Sequence, residues 1–251
     1  MLRMALCLLL CFWISLAVAR PAGRERTLTA SRPMENPKRF EGDIILPGNV
    51  TDRNAVTREV DMWPGGVIPF VIESTLGRHI RSIRKAMIEI ENKTCVRFVR
   101  RRKEENYVSL YYGDGCYSAV GLDRMPGAQG LSLGDGCIFH GTIIHELLHT
   151  IGFYHEHSRS DRDEYIDIFL HNVDDRSEDQ FRKLEPHQNR LLSPFDYDSV
   201  MLYGSSAFAR NRRAITMLKK NGERLMEVSE KPGLSEADIF RINELYNCGD
   251  Q

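Results

Sequence analysis

His145, Glu146 and His149 fall within the run His145-Glu146-Leu147-Leu148-His149, two imidazoles four positions apart with a carboxylic acid between them. A helix turns about 100° per residue, so positions four apart share a face and both rings can grip one metal ion, while Glu146 is turned away from direct ligation. Gly152 can take the positive-φ geometry that ends a helix, after which the chain swings back to offer His155 as a third nitrogen ligand. Three imidazoles around an ion with one position left open for water describe a zinc site.

His-Glu-x-x-His alone fixes only three positions and arises by chance on amphipathic helices. Gly152 and His155 extend it to five, each with a geometric reason, and the extended spacing resembles the signature of the metzincin proteases.

A chain of 251 residues with 42% hydrophobic content can bury a sizeable core in one or two domains. Its net charge of −1 argues against a dedicated nucleic-acid or membrane-surface binder. Arg3 precedes an apolar run over residues 5–18, and Ala17-Val18-Ala19 has the small-x-small form that a signal peptidase accepts. Cleavage after Ala19 is expected. A membrane anchor is disfavoured, because the run falls short of the roughly 20 apolar residues of a spanning helix and Arg20-Pro21 closes it. Cys7 and Cys11 leave with the signal, and Cys95, Cys116, Cys137 and Cys248 remain. In an oxidising compartment this even set reads as two disulfides, with three connectivities open. A cysteine zinc site competes poorly, since there is no Cys-x-x-Cys pair and the histidines already complete a site. Asn49-Val50-Thr51 and Asn92-Lys93-Thr94 are glycosylation sequons.

The elements that must position the site follow in order. Residues 20–53 are rich in Arg, Pro, Glu and Gly, show no helical or strand period, and cannot form a core alone. Within them Phe40-Glu41-Gly42-Asp43 reads as a turn, followed by the short apolar run 44–46. Beside a zinc enzyme it also suggests a propeptide carboxylate seated on the open position of the metal, and Arg53 before Asn54 suits a trypsin-like activator. From residue 54 the composition is that of a folded domain. Residues 67–72 read as a strand that Pro69 restricts to a sheet edge or an irregular course. Ser74 or Thr75 is placed to cap a helix over residues 79–92, whose Ile80, Ile83, Met87 and Ile90 share a face. Residues 96–99 and 107–112 read as strands around a solvated turn, and 129–133 as a short strand before the metal helix. Residues 165–170 read as extended and 177–184 as a short helix. Ser235 reads as the cap of a last helix with Ile239, Ile242, Leu245 and Tyr246 in one stripe.

Taken in order, these segments resemble the astacins, secreted zinc endopeptidases of the metzincin group. The resemblance rests on Glu156, Arg159, Asp161, Arg162 and Asp163 behind the ligands, and on the stretch from Trp63-Pro64 to Phe70. It also rests on Thr94-Cys95-Val96-Arg97-Phe98, Gly115-Cys116-Tyr117-Ser118 and Leu131-Ser132-Leu133-Gly134. It implies an α+β fold: an N-terminal subdomain with a twisted mixed β-sheet and two long helices, an irregular C-terminal subdomain with a C-terminal helix, and a zinc cleft between them. It implies one Zn2+ on His145, His149 and His155, with Glu146 as general base. Met201 would lie beneath the metal in a methionine turn over residues 199–203, and Tyr203 would be an additional, mobile ligand. Asp43 would be the ligand of the latent state, and the disulfides would be Cys95 with Cys248 and Cys116 with Cys137. Maturation after Arg53 would let Asn54 tuck inside and meet Glu156 through a water-linked ion pair. The chain would then divide into a signal peptide (1–19), a propeptide (20–53) and a protease domain (54–251). It departs from the family at Leu202, where histidine is usual; leucine removes a polar group near the cleft without touching a ligand or the base.

Zinc on three imidazoles lowers the pKa of its water from about 15.7 to roughly 7. Glu146 would take that proton and return it to the leaving amine, while Tyr203 helps hold the oxyanion. The expected protein is a secreted, monomeric endopeptidase, made as a zymogen, activated by a trypsin-like protease and acting on protein or peptide substrates, with no nucleic-acid or membrane partner. The alternative is a catalytically inactive, zinc-stabilised binding protein, which predicts a lost base or ligand; none is lost here. Other metzincins commonly use a propeptide cysteine switch, and residues 20–53 hold no cysteine. Arg210, Arg212 and Arg213 are candidates for selecting an acidic residue just after the cut, with a solvated basic loop as the competing reading. His79, His140, His157, His171 and His187 read as surface or packing residues.

Overall fold

The computed structural model describes residues 32–46, 62–123, 125–211 and 213–249. The expected signal peptide, Asn49, the junction of Arg53 with Asn54, and Arg212 lie outside the described residues.

Six strands, β1 (Ile44–Ile45), β2 (Val67–Ile72), β3 (Arg97–Arg100), β4 (Tyr107–Tyr111), β5 (Cys116–Ala119) and β6 (Ala128–Leu133), make a mixed sheet in the order β1-β5-β6-β4-β2-β3. β3, β2, β4 and β6 are parallel, β5 turns back antiparallel to β6, and β1 runs parallel to β5. Along β4 the side chains alternate, with Val108 and Leu110 buried. These residues join Ile68, Leu131 and Leu133 in one core with Ile83, Met87 and Ile90 of α1 (Ile80–Lys93) and Ile143, Ile144, Leu147 and Leu148 of α2 (His140–Ile151). Burying a side chain of this size contributes roughly 1.5–3 kcal/mol.

Four local expectations are corrected. β2 is an interior strand, not an edge. Its ladders to β3 and β4 overlap only at Phe70. The Phe70 carbonyl faces the β3 side, where it accepts from Arg101, so by alternation the Pro69 nitrogen faces the β4 side ahead of that ladder and forfeits no bond. Ser74 and Thr75 do not cap α1; they open a 3-10 turn (Ser74–His79) that leads into it, and the Thr75 hydroxyl accepts from the Tyr112 N–H instead. Ile80 is consequently exposed, and the buried stripe is Ile83, Ala86, Met87 and Ile90. In residues 177–184 only one 3-10 turn forms (Glu178–Phe181), because the Leu184 N–H is spent on the Ser158 carbonyl and Pro186 has no N–H to continue a helix. The run after Asp43 is more than a turn's exit: Ile44 and Ile45 extend the sheet as β1 and cover the β5 edge.

The C-terminal half consists of short 3-10 turns, a two-stranded antiparallel pair of β7 (Ile166–Ile168) with β8 (Met217–Lys219), and α3 (Glu236–Leu245). A capping box starts α3: the Asp238 N–H donates to Ser235 Oγ, and the Ser235 N–H donates to the Asp238 carboxylate. Disulfides join Cys95 to Cys248 and Cys116 to Cys137. In the chain-entropy account the first, spanning 153 residues, contributes about 5 kcal/mol and the second, spanning 21, about 3 kcal/mol.

Candidate metal centre

α2 is buried on every side from Gly141 to Ile151, so its course is fixed by packing all round. Its last carbonyls, which no helical N–H can reach, are taken from outside: Trp63 Nε1 donates to Thr150 (2.9 Å) and the Tyr246 hydroxyl to Ile151 (2.7 Å). Gly152, at φ 133°, ends the helix, and its N–H donates to the carbonyls of Leu148 and His149. The chain then returns so that the Glu156 N–H donates to the Met201 carbonyl (2.9 Å), which locks the His155 loop onto the turn over residues 199–203. That turn is held in its own right. Asp238 of α3 accepts from Ser199 Oγ (2.6 Å) and the Val200 N–H (3.0 Å), and the buried Lys231 ammonium donates to the carbonyls of Ser199 and Leu202. Burial lowers the Lys231 pKa to about 8.

The three imidazoles meet at one point, and their outer bonds fix which nitrogen faces inward. His145 Nδ1 lies 2.6 Å from the Val200 carbonyl and His149 Nδ1 lies 2.7 Å from the Phe153 carbonyl. A carbonyl only accepts, so both Nδ1 atoms carry the proton and both Nε2 atoms present lone pairs. His155 Nδ1 lies 2.6 Å from Glu41 Oε2, which places a proton between them and turns its Nε2 inward as well. Asp43 supplies the fourth group: Oδ2 is 3.1 Å from His145 Nε2, and Oδ1 is 3.3 Å from His149 Nε2 and 3.2 Å from His155 Nε2. His145 Nε2 and His155 Nε2 are 3.1 Å apart. Donor atoms held tetrahedrally about 2 Å from one ion stand roughly 3.3 Å from each other. Four acceptors facing inward at these separations repel unless a cation lies among them, and His149 Nε2 and Asp43 Oδ1 have no hydrogen-bond partner among the described residues. Three imidazoles and a carboxylate in a tetrahedron fit zinc.

The electrostatics agree. Burial holds the His145 pKa down to about 4. Burial also opposes charge on His155, yet the Asp43 and Glu41 carboxylates beside it carry its pKa up to about 9, so this ring demands a proton on Nε2 or a metal in its place. Burial would raise Asp43, but the surrounding imidazoles keep it well below the usual carboxylate range. Glu146 is fully buried and neither carboxylate oxygen has a partner among the described residues. Burial, then the negative charge of Asp43, pushes its pKa well above the ordinary value.

Tyr203 lies over the site, its ring stacked on His145, and its hydroxyl donates to Asp43 Oδ2 (2.5 Å) with the Met34 carbonyl 3.0 Å away. Met201 is buried. Leu202 is wholly buried in the hydrophobic core with residues 32–46 seated. Glu156 is buried in a bidentate pair with Arg241 (2.7 and 2.9 Å) and a further bond from Arg159 (3.0 Å); Asn54 lies outside the described residues. His157 is fully buried and stacked on His155 and Tyr203, whereas His140 bonds Glu89 at 2.6 Å. Arg210, Arg213 and Asn92 are exposed.

Three participants escape a reading of the sequence. Glu41 sits two residues from Asp43, a second carboxylate in the same turn, and that pairing was the available signal. Asp238 and Lys231 support the turn over residues 199–203 from more than 25 positions away, and nothing local distinguishes them from a capping acid and a surface lysine.

Residues 55–247 match the peptidase family described as Astacin. The chain is 43% identical over 212 residues to astacin-like metalloprotease toxin 1 of Loxosceles intermedia, covering 83% of this chain and 80% of that one. It is 41% identical over 219 residues to zinc metalloproteinase nas-4 of Caenorhabditis elegans, covering 86% and 67%. In structure it is similar to high choriolytic enzyme 1, a hatching enzyme zinc-protease from Oryzias latipes, with a TM-score of 0.70 and 38% identity over 78% of this chain and 100% of that one. With three imidazoles and an acid arranged for zinc, and a match that runs through nearly all of the folded domain, the chain belongs to the astacin family of zinc metalloproteases.

Proposed function

We propose that this zinc endopeptidase is exported as a latent proenzyme, with residues 1–19 as signal, 20–53 as propeptide and 54–251 as the protease domain. One observation carries the latency: Asp43, from the segment expected to be removed, lies 3.1–3.3 Å from all three inward histidine nitrogens, where the substrate water would otherwise bind. Export rests on the N-terminal signal and the two disulfides. Among the described residues no helix is long and apolar enough to cross a membrane.

His145, His149 and His155 would hold zinc, which when bound would supply an acidified water and polarise the scissile carbonyl. Glu146 takes the proton from that water at a carboxylate oxygen and returns it to the leaving amine. While Asp43 is seated among the inward histidine nitrogens it occupies the place of that water, so the latent form has none for Glu146 to deprotonate. Tyr203, freed of Asp43, donates its phenolic proton to the developing oxyanion. A trypsin-like cut after Arg53 would free Asn54 to reach Glu156, whose cavity is lined by Arg159, Met201, Arg241 and Leu245. The substrates are extracellular proteins or peptides, and the protein acts as a monomer. With the base and all three ligands in place, catalysis is favoured over a purely binding role.

The test compares the intact chain, the trypsin-treated chain and the Asp43→Ala variant on an unstructured fluorogenic peptide. The intact chain should be silent and the treated chain active with Asn54 as its first residue. Asp43→Ala should cleave without the cut, and unchanged latency in that variant would defeat the proposal.

A further inference from the structure

The two ligands on α2 and the one beyond it differ in what orients them. His145 and His149 each donate Nδ1–H to a backbone carbonyl, Val200 and Phe153, that belongs to the protease domain and stays after maturation. His155 donates Nδ1–H to the Glu41 carboxylate at 2.6 Å, and Glu41 belongs to the segment expected to leave. A carboxylate behind a metal-bound imidazole fixes its tautomer and raises its basicity more than a neutral carbonyl does.

The contact is built rather than incidental. Glu41 is 1% exposed, although a surface segment rich in charge has every chance to keep such a group in water. It also takes φ 49°, a left-handed conformation that a side chain disfavours, and Gly42 follows at φ 91°, where a Cβ would lie 2.5 Å from the Met34 carbonyl. This tight turn aims two carboxylates, at residues 41 and 43, into one site from opposite sides of the same imidazole: Glu41 at Nδ1 and Asp43 at Nε2 of His155.

We propose that Glu41 is a positioning residue for the metal, a carboxylate that holds His155 from behind so that the proenzyme binds zinc more tightly than Asp43 alone would make it, and whose removal loosens the third ligand on maturation. This rests on the propeptide reading above. The latent protein is thereby a zinc-retaining form, and the mature enzyme keeps only its two carbonyl-oriented ligands fully braced.

The experiment measures zinc affinity and stoichiometry by competition with a chromophoric chelator in the intact chain, for the wild type, Glu41→Gln and Asp43→Ala. Each chain is then matured with trypsin and measured again. Glu41→Gln should weaken zinc binding by the intact chain about 10- to 100-fold at one zinc per chain. It should remain silent toward peptide, because Asp43 is still seated. After maturation its zinc affinity and turnover should equal those of the wild type, since the altered residue has gone; this also reports that the domain folded. Wild-type affinity in the intact Glu41→Gln chain, with weakening only in Asp43→Ala, would overturn the assignment and leave the Asp43 latch standing. Wild-type affinity in both would remove the latch as well. Weakening of Glu41→Gln accompanied by loss of latency would overturn the assignment too, as the mark of a propeptide that has merely undocked. A second zinc lost on Glu41→Gln would show Glu41, His155 and His157 to be ligands instead, since their ligand atoms lie within 4.8 Å of one another.

Discussion

In the proposed zymogen one hydroxyl, that of Tyr203, serves both the latent and the active state. Its ring lies between His145 and His157, and its single proton goes to Asp43. Burial, with the Asp43 charge added, raises its pKa well above the ordinary value, so it is a donor and not a phenolate in this state. Tyr203→Phe removes the proton while keeping the ring. After maturation it should slow turnover about 100-fold or more, since one oxyanion donor is worth roughly 3 to 4 kcal/mol, and should leave zinc stoichiometry at one. Steady-state kinetics and metal analysis on the same sample check this; undiminished turnover would exclude Tyr203 from the oxyanion. The ligands were legible in the sequence because metal chemistry constrains residue type and spacing within one helix and turn. Glu41, Lys231 and Asp238 were not, because their roles come from tertiary partners that local spacing leaves unspecified.

Residues 32–46, the proposed propeptide segment, carry their own pH response. Glu35 accepts from the Phe208 N–H at 2.7 Å and from Arg32 at 3.1 Å. Burial nevertheless raises its pKa to about 7, against the lowering effect of Arg32 and Phe208 and with a further push from Glu227. The seated segment therefore holds a proton that an undocked Glu35, at its ordinary 4.5, releases. Seating is strongest below about pH 4.5, weakens as the pH climbs to about 7, and changes no further through this group above that. The full span is on the order of 3 kcal/mol. Amide hydrogen exchange of residues 32–46 across this range should show progressively faster opening in the wild type and a flatter profile in Glu35→Gln; coincident profiles would rule this residue out. At this scale the hydrophobic pattern located most elements but misjudged their surroundings. Pro69 suggested an edge, and only the offset between two ladders lets it lie inside the sheet. Residues 44–46 are too short to announce a strand, and Ile44 and Ile45 become one only because β5 offers a free edge.

Across the whole molecule, long-range ties converge on the metal helix. The sheet and α1 pack on α2, Trp63 and Tyr246 cap its end from opposite ends of the domain, and α3 braces the turn over residues 199–203 through Asp238. The Cys95–Cys248 bridge then fastens the tail of α3 to the start of β3. None of these long-range contacts can be read from periodicity, yet the fold class followed from the resemblance because its segments recur in order along nearly the full domain. In the proposed mechanism this scaffold lets Glu146 work as a base beside a zinc ion. The direct measurement is peptide cleavage by trypsin-matured wild type and Glu146→Gln, with bound zinc determined in both. One zinc per chain in each, chelator-sensitive cleavage by the wild type and a fall of about 100- to 10,000-fold in the variant are predicted. Undiminished cleavage by zinc-loaded Glu146→Gln would contradict the account.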